Sequence, residues 1–101
     1  MRITLQIQRV LRVLLDSDER YGLRICGDTQ LPAGTVYPIL ARLERAGLVE
    51  SFWEDPTRHQ AEGRPRRRYY RLTPDGTQFA KDAIGVTYRA GRRVQADSGS
   101  A

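Results

Sequence analysis

Residues 33–47, AGTVYPILARLERAG, decide the fold. Val36, Ile39, Leu40 and Leu43 fall at i, i+3, i+4 and i+7, which is one apolar stripe of an α-helix that must face a core. The opposite face carries Thr35, Pro38, Arg42 and Arg45, a polar and cationic surface. Gly47 is placed as the left-handed residue that stops the helix, and Leu48 and Val49 begin an extended run. Pro38 lacks an N–H and crowds the carbonyl of Gly34. That is tolerable within the first turn or so, where donors have no partners, so the helix should start close to Gly34 or bend there.

Upstream, Ile3, Ile7, Val10, Leu11, Leu14 and Leu15 recur at three- and four-residue spacing, giving a helix over about residues 3–16 that Asp16, Ser17 and Asp18 end. Leu23, Ile25 and Cys26 repeat the pattern weakly over residues 21–29, a short second helix with Cys26 read as a core thiol. Downstream, LVESFWEDP and RRRYYRLT are rich in β-formers and flank the polar stretch TRHQAEGRP, which reads as a long-looped hairpin. Alternation puts Arg68, Tyr70 and Leu72 on one face and Arg67, Tyr69 and Arg71 on the other, with Tyr70 and Leu72 toward the core. Trp53 reads as a strand residue packed on a helix, with an effector platform at the dimer centre as the alternative, and His59 as a mobile, exposed side chain, with a pH sensor or a DNA contact as the alternative. Thr73 is positioned to cap a last helix that has Pro74 in its first turn and Asp75 near its positive end. On that helix Phe79, Ala83, Val86 and Ala90 recur at near-heptad spacing beside Ile84 and Tyr88, more apolar surface than one small domain can cover. It is expected to pack on a partner chain together with helix one, through Ile3 and Ile7. Residues 95–101, QADSGSA, carry no apolar period and read as a disordered tail.

Composition narrows the chemistry. The chain has 101 residues and a formal charge of +5, and Lys81 is its only lysine. Arginine's planar fork of donors suits phosphates and guanine edges, which makes a polyanion the leading partner class. One cysteine and one histidine exclude an intrachain disulfide and any multi-ligand Cys/His metal site. No nucleophile and base pair, paired carboxylates or glycine-rich phosphate loop stands out, so neither an enzyme nor a cofactor is expected. The apolar run near the N-terminus is broken by Thr4, Gln6, Gln8, Arg9 and Arg12, so it is neither a signal core nor a membrane span, and a cytoplasmic location is expected.

The order helix, helix, helix, hairpin, helix turns these elements into a mostly α fold with a small β-hairpin, a winged helix-turn-helix. Its third helix can enter a major groove, and its hairpin projects beside that helix as a wing. Arg64, Arg66 and Arg67 on the wing can then reach phosphates or a minor groove, where the negative potential draws arginine. Arg42 and Arg45 are candidates for phosphates or guanine, with a solvated helix face beside Glu44 and Glu50 as the alternative. A protein-interaction winged helix would instead show an apolar patch on helix three, where this sequence has Arg and Thr. A non-specific architectural DNA-binding module is the other alternative.

YGLRI (21–25), LPAGTVYPILARLERAGLVES (31–51) and GRPRRRYYRLTPDG (63–76) together resemble the winged-helix domain of the PadR family. The resemblance runs from about Tyr21 to Gly76. It implies a dimeric bacterial transcription regulator, in most members a repressor, on double-stranded DNA, with the dimer built by the last helix and the first. Thr35, Tyr37 and Pro38 match the start of the family's recognition helix, and Arg42 continues its exposed face. Thr35 and Tyr37 are hydrogen-bonding groups at a helix N-terminus, where anions are favoured. The chain has room for one C-terminal helix, the short form of the family, and a small-molecule effector at the dimer interface is left open. The expected organisation is a DNA-binding domain over 1–73, a dimerisation helix over 74–94 and the tail.

Overall fold

The computed structural model describes residues 2–91, with side chains through residue 85. Helix α1 (Leu5–Leu15) is capped by Thr4, whose hydroxyl accepts from the Ile7 N–H, and buries Ile7, Val10, Leu11 and Leu14. A two-residue strand β1 (Arg20–Tyr21) leads into α2 (Gly22–Thr29). Gln30 then turns the chain with a φ of +60°, and Pro32 starts α3 (Ala33–Arg45). Strand β2 (Val49–Trp53) follows, then α4 (Pro56–Glu62), β3 (Arg68–Leu72) and α5 (Pro74–Gly91). The three strands form one antiparallel sheet in the order β1-β3-β2, with Val49 opposite Leu72 and Tyr21 opposite Tyr69.

The core is the meeting of the apolar stripes. Val36, Ile39, Leu40 and Leu43 of α3 are buried against Val10, Leu11 and Leu14 of α1, Ile25 of α2, Val49 of β2 and Tyr70 of β3. Helix α3 begins at Ala33 and continues through Pro38, so the start is one residue earlier than Gly34. Gly47 has a φ of +75° and ends α3, as the left-handed stop requires. Thr73 caps α5: its hydroxyl accepts from the Gly76 N–H at 2.9 Å and donates to the Gly47 carbonyl at 2.7 Å. The same residue's N–H donates to the Leu48 carbonyl at 3.0 Å, tying the start of α5 to the turn that ends the third helix.

The structure corrects the sequence reading in three places. The hairpin loop contains a helix, α4, so there are five helices rather than four. Asp55 caps it through the Thr57 N–H, Pro56 occupies its first turn and Gly63 closes it at a φ of +64°, yet it buries no residue. A helix with end signals but no apolar face is invisible to periodicity. The sheet has a third strand, β1, too short to carry an alternation pattern. Ile7, assigned to a dimer face, is 2% exposed and belongs to the core of its own chain. Of the other proposed dimer residues, Ile3, Phe79 and Ala83 are partly buried against that core, whereas Val86 and Ala90 lie outside the described side chains. The tail at 95–101 lies outside the described residues.

Candidate nucleic-acid interface

A groove of about 690 Å³ lies between the β1–α2 segment and the wing: Tyr21, Leu23 and Arg24 line one side, Trp53, Arg66 and Arg67 the other, and Tyr37 is the one lining residue from α3. Thr35, Pro38, Arg42 and Arg45 do not line it. Thr35 is half-buried, and Arg42 and Arg45 sit exposed in the last turn of α3, where the helix dipole favours cations. Neither arginine makes an ion pair among the described residues. Glu44 instead accepts from the Ser51 hydroxyl at 2.6 Å, and Glu50 pairs with Arg71 at 2.6 Å. The two carboxylates that could have neutralised the α3 arginines are therefore engaged elsewhere.

The wing arginines divide into two kinds. The Arg64 side chain is turned inward and grips Glu54 with both terminal nitrogens, at 2.5 and 3.0 Å, while its Nε donates to Glu62 at 2.9 Å. Glu54 is 4% exposed, and its carboxylate also accepts the Arg67 backbone N–H at 2.8 Å. A bidentate arginine and a backbone donor are the arrangement that keeps a buried carboxylate ionised. The Arg64 hydrogen bond is the largest influence and holds the Glu54 pKa down at about 2, with burial opposing it. Arg64 thus holds the wing together through Glu54 and Glu62, in place of the free guanidinium expected there.

Arg66 and Arg67 have no carboxylate partner among the described residues. Arg66 donates through Nε to the Glu54 carbonyl at 3.0 Å, and the Arg67 guanidinium lies 4.0 Å from the Tyr21 ring centroid. Both keep their charge for an anion. Arg68, assigned by alternation to the core side, is exposed and bonds the Ser51 hydroxyl at 2.6 Å. His59 is held rather than mobile, since its Nδ1 sits 3.0 Å from the Arg64 carbonyl. A carbonyl can only accept, so Nδ1 carries the proton.

Trp53 differs most from expectation: it is 52% exposed at the end of β2, not packed on a helix. Tyr37 is 39% exposed, and burial of its hydroxyl end raises its pKa, with Cys26 adding to the shift. It therefore stays a neutral donor at ordinary pH. Glu54 is the residue that sequence reasoning missed. Extending the hairpin register from Trp53 opposite Arg68 places Glu54 opposite Arg67, a signal available once the register is known.

The profile of the PadR-like family of transcriptional regulators matches residues 10–82, which spans the helix-turn-helix, the wing and the start of α5. The chain belongs to the PadR-like family. Among solved structures it is similar to transcriptional regulator PA4135, with 28% identity and a TM-score of 0.73 over 97% of this chain and 67% of that one. A putative DNA-binding protein from Ralstonia eutropha is 26% identical, with a TM-score of 0.62 over 81% of this chain and 98% of that one. A transcriptional regulator from Clostridium thermocellum, 22% identical with a TM-score of 0.69 over 93% and 96% of the two chains, shares the fold. No curated protein matches the sequence. This PadR-like chain is a transcriptional regulator of the winged-helix type, and the proteins it resembles are regulators rather than enzymes. No helix among its described residues is long and apolar enough to cross a membrane.

Proposed function

We propose that this PadR-like protein is a cytoplasmic, sequence-reading repressor that binds a palindromic operator as a homodimer. Residues 1–73 hold DNA and residues 74–94 join the two copies. The observation that carries the reading is the distribution of unpaired cations. Arg42 and Arg45 on α3, and Arg66 and Arg67 on the wing, have no carboxylate partner among the described residues, while neighbouring carboxylates are consumed by other groups. Thr35 and Tyr37 supply neutral hydrogen-bonding groups near the start of the same helix. In the dimer the two α3 helices enter successive major grooves, with half-site centres about 10 bp or a multiple apart. The wings reach the flanking minor grooves.

The test is a salt titration of duplex binding. Four wing guanidiniums per dimer on phosphates give a slope of log K against log salt of about −4, and α3 phosphate contacts steepen it. A complex insensitive to salt would remove the reading.

A further inference from the structure

We propose that Trp53 is a contact platform for the sugar–phosphate backbone of duplex DNA, seated on the wing side of the groove that the wing forms with the β1–α2 segment and Tyr37. This rests on the DNA-binding reading above and adds a residue that neither motif nor family match assigns. Trp53 is the chain's single tryptophan, and the structure leaves half of its surface in water. An exposed indole at the lip of a groove, opposite Tyr37 of the third helix, is a surface awaiting an occupant.

The surroundings state which occupant. The Arg66 and Arg68 guanidiniums lie 5.8 and 5.4 Å from the indole centroid. Both are fixed by the protein: Arg66 by the Glu54 carbonyl at 3.0 Å, Arg68 by the Ser51 hydroxyl, which itself leans on Glu44. Arg68 also pairs with Glu44 at 3.8 Å, so Arg66 is the one of the two without a carboxylate partner among the described residues. An apolar ring beside a free, oriented cation complements a chain that alternates apolar sugar faces with anionic phosphates. A phosphate takes the Arg66 guanidinium, and a deoxyribose covers the indole. An unpaired base of a single strand could use the same plate, and the test separates it.

Because Trp53 is the only tryptophan, intrinsic emission reads this one side chain. The contact is to backbone, so random-sequence duplex at low salt is a sufficient probe. Binding is followed by the anisotropy of a labelled duplex, and access to Trp53 by quenching with neutral acrylamide. We expect saturating duplex to cut the quenching constant several-fold. Trp53→Ala should weaken the duplex roughly tenfold, the loss of one well-covered anchor, with the salt slope unchanged because no phosphate contact is lost. Trp53→Phe should recover much of that loss. Duplex that binds while Trp53 stays as accessible as in the free protein would overturn the proposal and leave the DNA reading standing. Protection by single strands only would replace the sugar contact with base stacking, which also overturns it. Absence of any duplex binding would remove the DNA reading and this proposal together.

Discussion

Gly76 offers the sharpest test of how the regulator is assembled. It lies in the first turn of α5, where a Cβ would fall 2.6 Å from the Leu48 carbonyl carbon and closer still to its oxygen. Both sides of that contact are backbone, so no rotamer change relieves it, and Gly76→Ala must push α5 away from the turn that ends α3. The displacement strikes two hydrogen bonds, from the Thr73 N–H to Leu48 and from the Thr73 hydroxyl to Gly47. Overpacking costs about 1–3 kcal/mol and each lost bond about 1 kcal/mol, so the variant should lose about 3–5 kcal/mol. For a domain of this size that lowers Tm by roughly 15–30 °C. Gly27→Ala is the matched control. It sits on the exposed face of α2 with nothing within 4 Å of the added methyl, and alanine's better helix propensity should stabilise it by about 0.5–1 kcal/mol. Thermal melts of both variants followed by circular dichroism decide the matter. Equal shifts for the two, or a Gly76→Ala Tm within a few degrees of wild type, would refute the packing argument.

The remaining predictions concern the wing, the tyrosines and the core. Arg66→Ala should make the salt slope shallower by about 0.9 per chain without moving Tm, whereas Arg64→Ala should lower Tm because it strands Glu54; binding and melting curves separate the two. The Glu54 pKa is depressed to about 2, below the ordinary 4.5, so its stabilising contribution is complete above about pH 4.5 and is lost as pH falls toward 2. Urea midpoints of wild type and Glu54→Gln should therefore converge in acid, and a constant gap would count against the buried pair. Burial raises the pKa of Tyr37 and Tyr70, so their contribution is intact below about pH 10 and lost above it; a phenolate titration in which Tyr37→Phe or Tyr70→Phe removes ionisation below about pH 10 would contradict it. Ile7→Ala should cost about 2–5 kcal/mol of stability and leave the self-association constant, read by sedimentation, unchanged once both proteins are folded.

What could be read from the sequence was whatever repeats with a physical period. The Val36–Leu43 stripe, the Gly47 stop, the Thr73 cap and the hairpin strands each follow from local chemistry, and together they specify the winged helix. Tertiary choices were not legible. Arg64 and Arg66 are indistinguishable in the string GRPRRR, and only the fold shows that one turns inward to Glu54 while the other faces out. Ile7 lies on a face that periodicity marks as apolar, but periodicity does not say whether that face meets its own core or a second copy. The α4 helix has caps without an apolar side, and Trp53 looks like any strand aromatic until the groove beside it is seen.

The most direct test of the central claim is selection of bound sequences from a random duplex library, scored for a two-fold repeat. A palindromic motif with half-sites a fixed number of helical turns apart is the result predicted for a dimer reading DNA with two α3 helices. Enrichment without any motif would contradict sequence reading and leave a protein that holds backbone alone; no bound duplex at low salt would contradict DNA binding itself.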